Sequence, residues 1–146
     1  MKGLLYLFVA LAGGLTAVEA GANVQLAKTL GGPWWAALIF SAISAVLLVT
    51  FACFLAGPFP VSAVRDVPWW AWMGGVISAM FVLVLFIAPG VLGAGVFTGL
   101  TVTTALVVSI ALDHWGLVGF PVHVAGLGRL LGAALMVVGL ILVAAF

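Results

Sequence analysis

Five apolar runs, each about 20 residues long, fill most of this chain and constrain its fold more than any other feature of the sequence. Of its 146 residues, 67% are hydrophobic and only seven are charged, four basic and three acidic. A soluble domain carries roughly 25% charged residues, and a disordered chain needs low hydrophobicity, so both classes are excluded. Four basic residues are also too few to neutralise the phosphates of a nucleic acid. The sequence predicts a multi-pass protein of the cell (inner) membrane, whose main partner is the lipid bilayer.

Each run can cross a bilayer as an α-helix. Glycine and proline mark the breaks at Gly31-Gly32-Pro33, from Gly57 to Pro68, at Pro89-Gly90, and between Asp113 and Pro121. We therefore expect an all-α integral membrane protein with a single transmembrane domain over residues 1–146. The five transmembrane helices are expected at about residues 3–26, 34–55, 69–88, 91–112 and 125–145.

The basic residues predict orientation only weakly. With five spans, Lys2, Arg65 and Arg129 lie on one side of the membrane and Lys28 on the other, which favours an N-terminus inside the cell. A bias this small is typical of dual-topology proteins, whose copies insert both ways. An alternative is that the first run, ending at Val18-Glu19-Ala20, is a cleaved secretory signal, with four spans following it.

Glu19 is the most informative single residue, because an ionisable group inside a span costs a few kcal/mol on insertion scales. Thr16 lies three residues before it and Asn23 four residues after it, so all three project from one side of a helix. This polar stripe predicts a site for a proton or a cation. The alternative is that Glu19 lies at the membrane interface or pairs with Lys28.

A second polar group ends the fourth run, at Asp113-His114-Trp115-Gly116. It predicts either a gate or proton relay at the membrane surface, or an interfacial cap, and the cap is the favoured interpretation. Arg129, at the start of the fifth run, is a candidate ion-pair partner for Asp113 across the loop.

Tryptophan and small residues indicate anchoring and packing. The six tryptophans lie at span ends, where interfacial anchoring explains them; a minority interpretation gives Trp70 a cation–π contact with a bound cation. Ala125, Gly132 and Gly139 repeat every seven residues on one side of the fifth run. Such faces let helices approach closely in lipid, so we expect dimer packing there.

An enzymatic function is not expected. Glu19 and Asp113 are the only carboxylates at the spans, and they belong near different helix ends. The single cysteine, Cys53, has no partner for a disulfide or a metal site. We expect no metal, no other cofactor and no nucleic acid.

Several short elements spread over nearly the whole chain resemble those of one membrane-protein family. The most specific is Asp113-His114-Trp115-Gly116. The other elements are Asn23-x-x-Leu26, Trp69-Trp70 followed by Gly74-Gly75, Leu92-Gly93-Ala94, and Arg129-Leu-x-Gly132 followed by Gly139. With these elements the chain resembles the YdcZ-type branch of the drug/metabolite transporter superfamily.

The resemblance implies a five-helix half-transporter that pairs with a second copy in inverted orientation. It is also similar in plan to the small multidrug resistance proteins, which use a glutamate of the first helix for protons and cations. This chain departs from the YdcZ pattern at Glu19, where the family usually has glutamine, and at Thr104-Ala105, where it usually has Gly-Gln. We therefore expect a homodimeric exporter of a small cationic or amphipathic solute, coupled to protons; the alternative is a non-transporting structural or lipid-binding membrane subunit.

Overall fold

Five long helices make up the protein in the computed structural model, which describes residues 2–146 and the side chains of residues 3–146. They are α1 (Lys2–Thr29), α2 (Pro33–Leu55), α3 (Met73–Leu92), α4 (Ala94–Trp115) and α5 (Leu127–Ala145). All five are long and apolar enough to cross a membrane. The predicted all-helical fold and its five spans are confirmed.

The end of α1 follows from its glycines. Gly31 adopts φ 74°, a left-handed conformation that glycine reaches without steric cost, and the Gly32 amide donates to the Ala27 carbonyl at 3.0 Å. This bond is the signature of a Schellman helix end. Pro33 then opens α2 at the first helical position, where its missing N–H costs nothing.

The predicted break at Pro89-Gly90 is wrong. Helix α3 continues through both residues to Leu92, and the chain breaks at Gly93 instead, with φ 83°. A proline in a membrane helix is tolerated where neighbouring groups compensate for the lost backbone bond, and Pro89 is buried. The positive φ at Gly93, which favours glycine, sets the true boundary.

The chain divides into two compact units, one ending at Val91 and the other beginning at Leu92. In the first unit, Ala36 and Ala37 of α2 and Phe86 of α3 form a buried core. The rings of Phe40 and Phe86 meet edge to face, with centroids 5.7 Å apart. Leu26 and Ala27 of α1 and Leu30, just after it, pack against this core.

In the second unit, α4 and α5 pack as an antiparallel pair through small residues of α4. A β-carbon at Gly99 would lie 2.9 Å from Leu140 Cδ1, and one at Gly95 would lie 4.0 Å from Val143 Cγ1. The closeness at Gly99 shows that glycine lets the two helices approach. Ala125 does not belong to the fifth span, contrary to the prediction, because α5 begins only at Leu127.

The loop between α4 and α5 folds back onto the end of α4. The Ala125 amide donates to His114 Nδ1 at 3.1 Å, and the His123 amide donates to the Asp113 carbonyl at 2.8 Å. Gly116 ends α4 in a left-handed conformation, φ 61°. These bonds fix the loop relative to the last turn of α4, and they hold Ala125 outside α5.

Candidate functional site

The polar stripe on α1 contains one buried, one half-buried and one exposed residue. Asn23 is 4% exposed and Glu19 is half-buried, and their spacing of four residues puts them on one helical face. Thr16 is exposed, and its hydroxyl donates to the Gly13 carbonyl of the same helix at 2.7 Å. The structure therefore brings Glu19 and Asn23 together, while the Thr16 hydroxyl bonds to the backbone.

Asn23 lacks a hydrogen-bond acceptor for its side-chain amide. Its Nδ2 is fully covered and has no partner among the described residues. A buried donor left without an acceptor costs about 1–3 kcal/mol of stability. Other interactions must offset this loss of stability. Buried polar groups without partners occur most often at functional sites.

Pro89 changes the backbone hydrogen bonding of helix α3 in the same unit. Pro89 has no N–H, so the Leu85 carbonyl loses the bond that a helix would otherwise give it. The two helices touch nearby, since a β-carbon at Gly90 would lie 3.7 Å from Val24 Cγ1. Leu26 and Leu85 also pack against the same core. Sequence reasoning missed Pro89 because it assigned this proline to a turn.

The Glu19 carboxylate has no hydrogen bond and no ion pair among residues 3–146. In particular, the alternative pairing with Lys28 is not formed, and Lys28 is exposed. Ionisable side chains inside membrane spans are rare and commonly mark ion or proton pathways, so Glu19 is a candidate functional residue.

Trp70 lies far from this stripe within one chain. It belongs to the short 3₁₀ turn Trp69–Trp72 that precedes α3, and it is 43% exposed. The Val24 contact involves Gly90, near the other end of α3 and about 30 Å from Trp70 along the helix axis. Within one chain the fold therefore does not bring Trp70 to Glu19.

The polar residues at the end of α4 form hydrogen bonds and an ion pair with the α4–α5 loop and the start of α5. Arg129 Nη1 lies 3.3 Å from Asp113 Oδ2, so the ion pair considered from the sequence is present. His114 accepts a hydrogen bond from the Ala125 amide at Nδ1. These contacts hold the α4–α5 loop in place, and the role of the three side chains as gate or cap remains a prediction.

Small residues on α5 leave part of its surface free within this chain. A β-carbon at Gly132 or Gly139 would have no neighbour within 4 Å.

Thr103 of α4, 5% exposed, is a second buried polar residue that the sequence gave no reason to select. No group of three or more metal-ligating side chains lies together in the described part of the chain.

Comparison with known proteins agrees with the five membrane helices. A family model described as "Putative inner membrane exporter, YdcZ" matches residues 4–142. The chain belongs to this family of the drug/metabolite transporter type, and it is a multi-pass protein of the inner membrane. This is a family of membrane transporters and not of enzymes. No curated protein and no solved structure matches the chain.

Proposed function

We propose that this protein is a secondary transporter that exports a small cationic or amphipathic solute in exchange for protons. The observation that carries the proposal is the pair on α1, a half-buried Glu19 without a protein partner beside a buried Asn23 without an acceptor. The family supplies the context of an exporter.

In this mechanism Glu19 binds either a proton or the cationic group of the solute, and never both. A carboxylate in an apolar environment favours neutralisation by one of the two, since an unpaired charge is costly there. Binding of the cation displaces the proton, and this exclusion couples the two flows. Asn23 donates to an acceptor group of the solute and so orients it beside Glu19.

A flux assay in liposomes tests the site. Acetylcholine, a cation with an ester carbonyl as acceptor, and tetraphenylphosphonium, a cation without an acceptor, serve as probes. An internal dye reports proton movement when a gradient of either probe is imposed. We expect solute-dependent proton movement for the natural chain and its loss in Glu19→Gln, which keeps the shape and removes the charge. The matched control is Asp66→Asn, because Asp66 is exposed and lies outside the five long helices. Equal proton movement in Glu19→Gln and the natural chain would show that this site assignment is wrong.

The proposed active form is an antiparallel homodimer, in which inverted copies surround a site near the middle of the membrane. Support comes from the weak three-to-one distribution of basic residues and from the uncovered Gly132 and Gly139 on α5. An inverted partner also brings its Trp70 to the side of the membrane from which the first chain's Trp70 is absent.

Crosslinking and labelling test the assembly. Gly139→Leu should lower the yield of crosslinked dimer, because a bulky side chain forces the helix backbones apart. Gly13→Leu is the control, since Gly13 is equally uncovered but lies on α1. Labelling of a C-terminal cysteine tag should occur from both membrane faces, and labelling from one face alone would exclude inverted copies of this chain.

A further inference from the structure

A groove between α4 and α5 begins at the Asp113–Arg129 ion pair and becomes apolar toward the middle of both helices. It has a volume of about 410 Å³, within the range of about 300–1,000 Å³ that is usual for small-molecule sites. Its apolar walls are formed by Leu106, Ile110, Gly132, Ala133 and Met136. From the ion pair to Leu106 or Met136 is seven residues, which is about 10 Å of helix.

The ion pair leaves three of its five polar side-chain atoms without a partner among the described residues. Only Arg129 Nη1 is engaged, at 3.3 Å from Asp113 Oδ2 and 3.5 Å from the His123 carbonyl. Arg129 Nη2 and Nε and Asp113 Oδ1 have no partner among the described residues. Arginine side chains can hold two oxygens of one anion at once, so the free guanidinium edge suits a phosphate. The free carboxylate oxygen beside it suits a group with N–H donors.

The charged and apolar groups of the groove follow one another in the same order as those of a phospholipid at the membrane surface. Asp113 lies in the last turn of α4 and Arg129 in the first turn of α5, which places both charges at span ends. Trp115, 67% exposed, follows at the level where aromatic residues border the headgroups. A phospholipid has the same order along its length, with charge at the surface and hydrocarbon below.

We propose that this groove binds one zwitterionic phospholipid with a primary ammonium headgroup, of the phosphatidylethanolamine class. The lipid phosphate accepts from the free edge of Arg129, its ammonium donates to Asp113 Oδ1, and one acyl chain lies along the apolar walls. A headgroup with both charges complements an ion pair, whereas an anionic headgroup meets Asp113 with a like charge. This site is separate from the stripe on α1, but it shares Gly132 with the face of α5 proposed for dimer packing.

Lipid titration of the full-length protein in detergent, read by native mass spectrometry, tests the proposal. We expect one phosphatidylethanolamine per chain, bound at least about tenfold more tightly than phosphatidylcholine, which lacks N–H donors, or phosphatidylglycerol, which lacks the cation. That ratio is about what one charge-assisted hydrogen bond supplies. Equal retention of the three lipids would overturn the proposal.

Variants separate the groove from other lipid contacts. Arg129→Gln should lose the preference, while Arg65→Gln, the same change at an exposed arginine outside the groove, should keep it. Ser109→Leu keeps both charges and fills the groove, because Ser109 lines it and its hydroxyl donates only to the Ala105 carbonyl of α4. It should also lower phosphatidylethanolamine binding at least about tenfold, and it decides the question if Arg129→Gln does not fold.

Two further outcomes would identify a different occupant and overturn the proposal. Phosphoethanolamine has the same headgroup but no acyl chains. If it competes as effectively as the lipid, the groove is a site for a free solute. A fall in the dimer fraction in Ser109→Leu with lipid binding unchanged would indicate an interface with a second copy.

Discussion

The stripe on α1 and the end of α4 and α5 contain similar polar residues, but the protein satisfies them differently. At the α4–α5 end, Arg129 pairs with Asp113, His114 accepts from the loop backbone, and the loop amide of His123 bonds to the end of α4. On α1, Glu19 has no protein partner in the described structure and the Nδ2 of Asn23 has no acceptor.

Under the proposed function, this difference separates polar groups that stabilise the fold from polar groups that bind a ligand. A polar group with hydrogen-bond partners stabilises the fold, so its mutation lowers the stability of the protein. A buried polar group without partners destabilises the fold, so its replacement by an apolar group does not lower stability. Mutations in the two regions should therefore have opposite effects on transport and on unfolding. Three substitutions, from the largest expected effect to the smallest, test this contrast.

Asn23→Leu should abolish most transport and leave the fold intact. Loss of a hydrogen bond to the bound solute should lower the flux at low solute concentration roughly 10- to 100-fold. The free energy of unfolding should be unchanged or higher, because the leucine replaces an amide that has no acceptor. Liposome flux and unfolding in a denaturing detergent measure the two quantities.

The matched control for Asn23→Leu is Gln25→Leu, a similar change at an exposed position on the same helix. It should leave flux unchanged. If Asn23→Leu unfolds the protein, or transports as well as the natural chain, then Asn23 is not a vacant ligand group and the contrast between the two regions fails.

Gly116→Ala should act in the opposite sense, with lower stability and retained transport. Gly116 has φ 61°, and a β-carbon there would lie 2.7 Å from Val122 Cγ2. A left-handed conformation costs an alanine about 1–2 kcal/mol, and the contact adds to this cost. Thermal unfolding should show a lower Tm, while flux per folded protein stays the same.

Gly128→Ala controls for the loss of glycine itself, because Gly128 lies inside α5 with nothing within 4 Å of a β-carbon. It should leave stability unchanged or raise it slightly. A drop as large as that of Gly116→Ala would show that the α4–α5 connection is not the sensitive element.

The helices were predictable because each depends on a local property, a run of apolar residues. The turn at Gly31-Gly32-Pro33 was predictable for the same reason, since both glycines and the proline indicate a helix end. Pro89 misled the prediction, because the same residue ends a helix in water and is tolerated inside one in a membrane when it is buried.

The candidate site was only half predictable. The spacing of Glu19 and Asn23 gives their common face directly, and the charges of Asp113 and Arg129 suggest their pairing. Neither spacing nor charge reveals that the Asn23 amide lacks an acceptor, because that depends on which helices surround it. The unused edge of Arg129 is hidden from the sequence for the same reason, since it depends on the geometry of one contact.

The smallest expected effect is that of Asp113→Asn. The ion pair is partly exposed, with 44% of the Arg129 side chain and 28% of the Asp113 side chain accessible, and it has a single long contact. Exposed pairs of this kind contribute about 0–1 kcal/mol, so the free energy of unfolding should fall by less than about 1 kcal/mol. The backbone carbonyl of Asp113, which accepts from the His123 amide, is unaffected by the change. Transport should stay within about twofold of the natural chain, a difference of about 0.4 kcal/mol.

Flux and unfolding measured together on Asp113→Asn and Glu19→Gln provide the sharpest comparison, because each removes one carboxylate charge. A loss of flux in Asp113→Asn as large as that in Glu19→Gln would move the proton site to the end of α4.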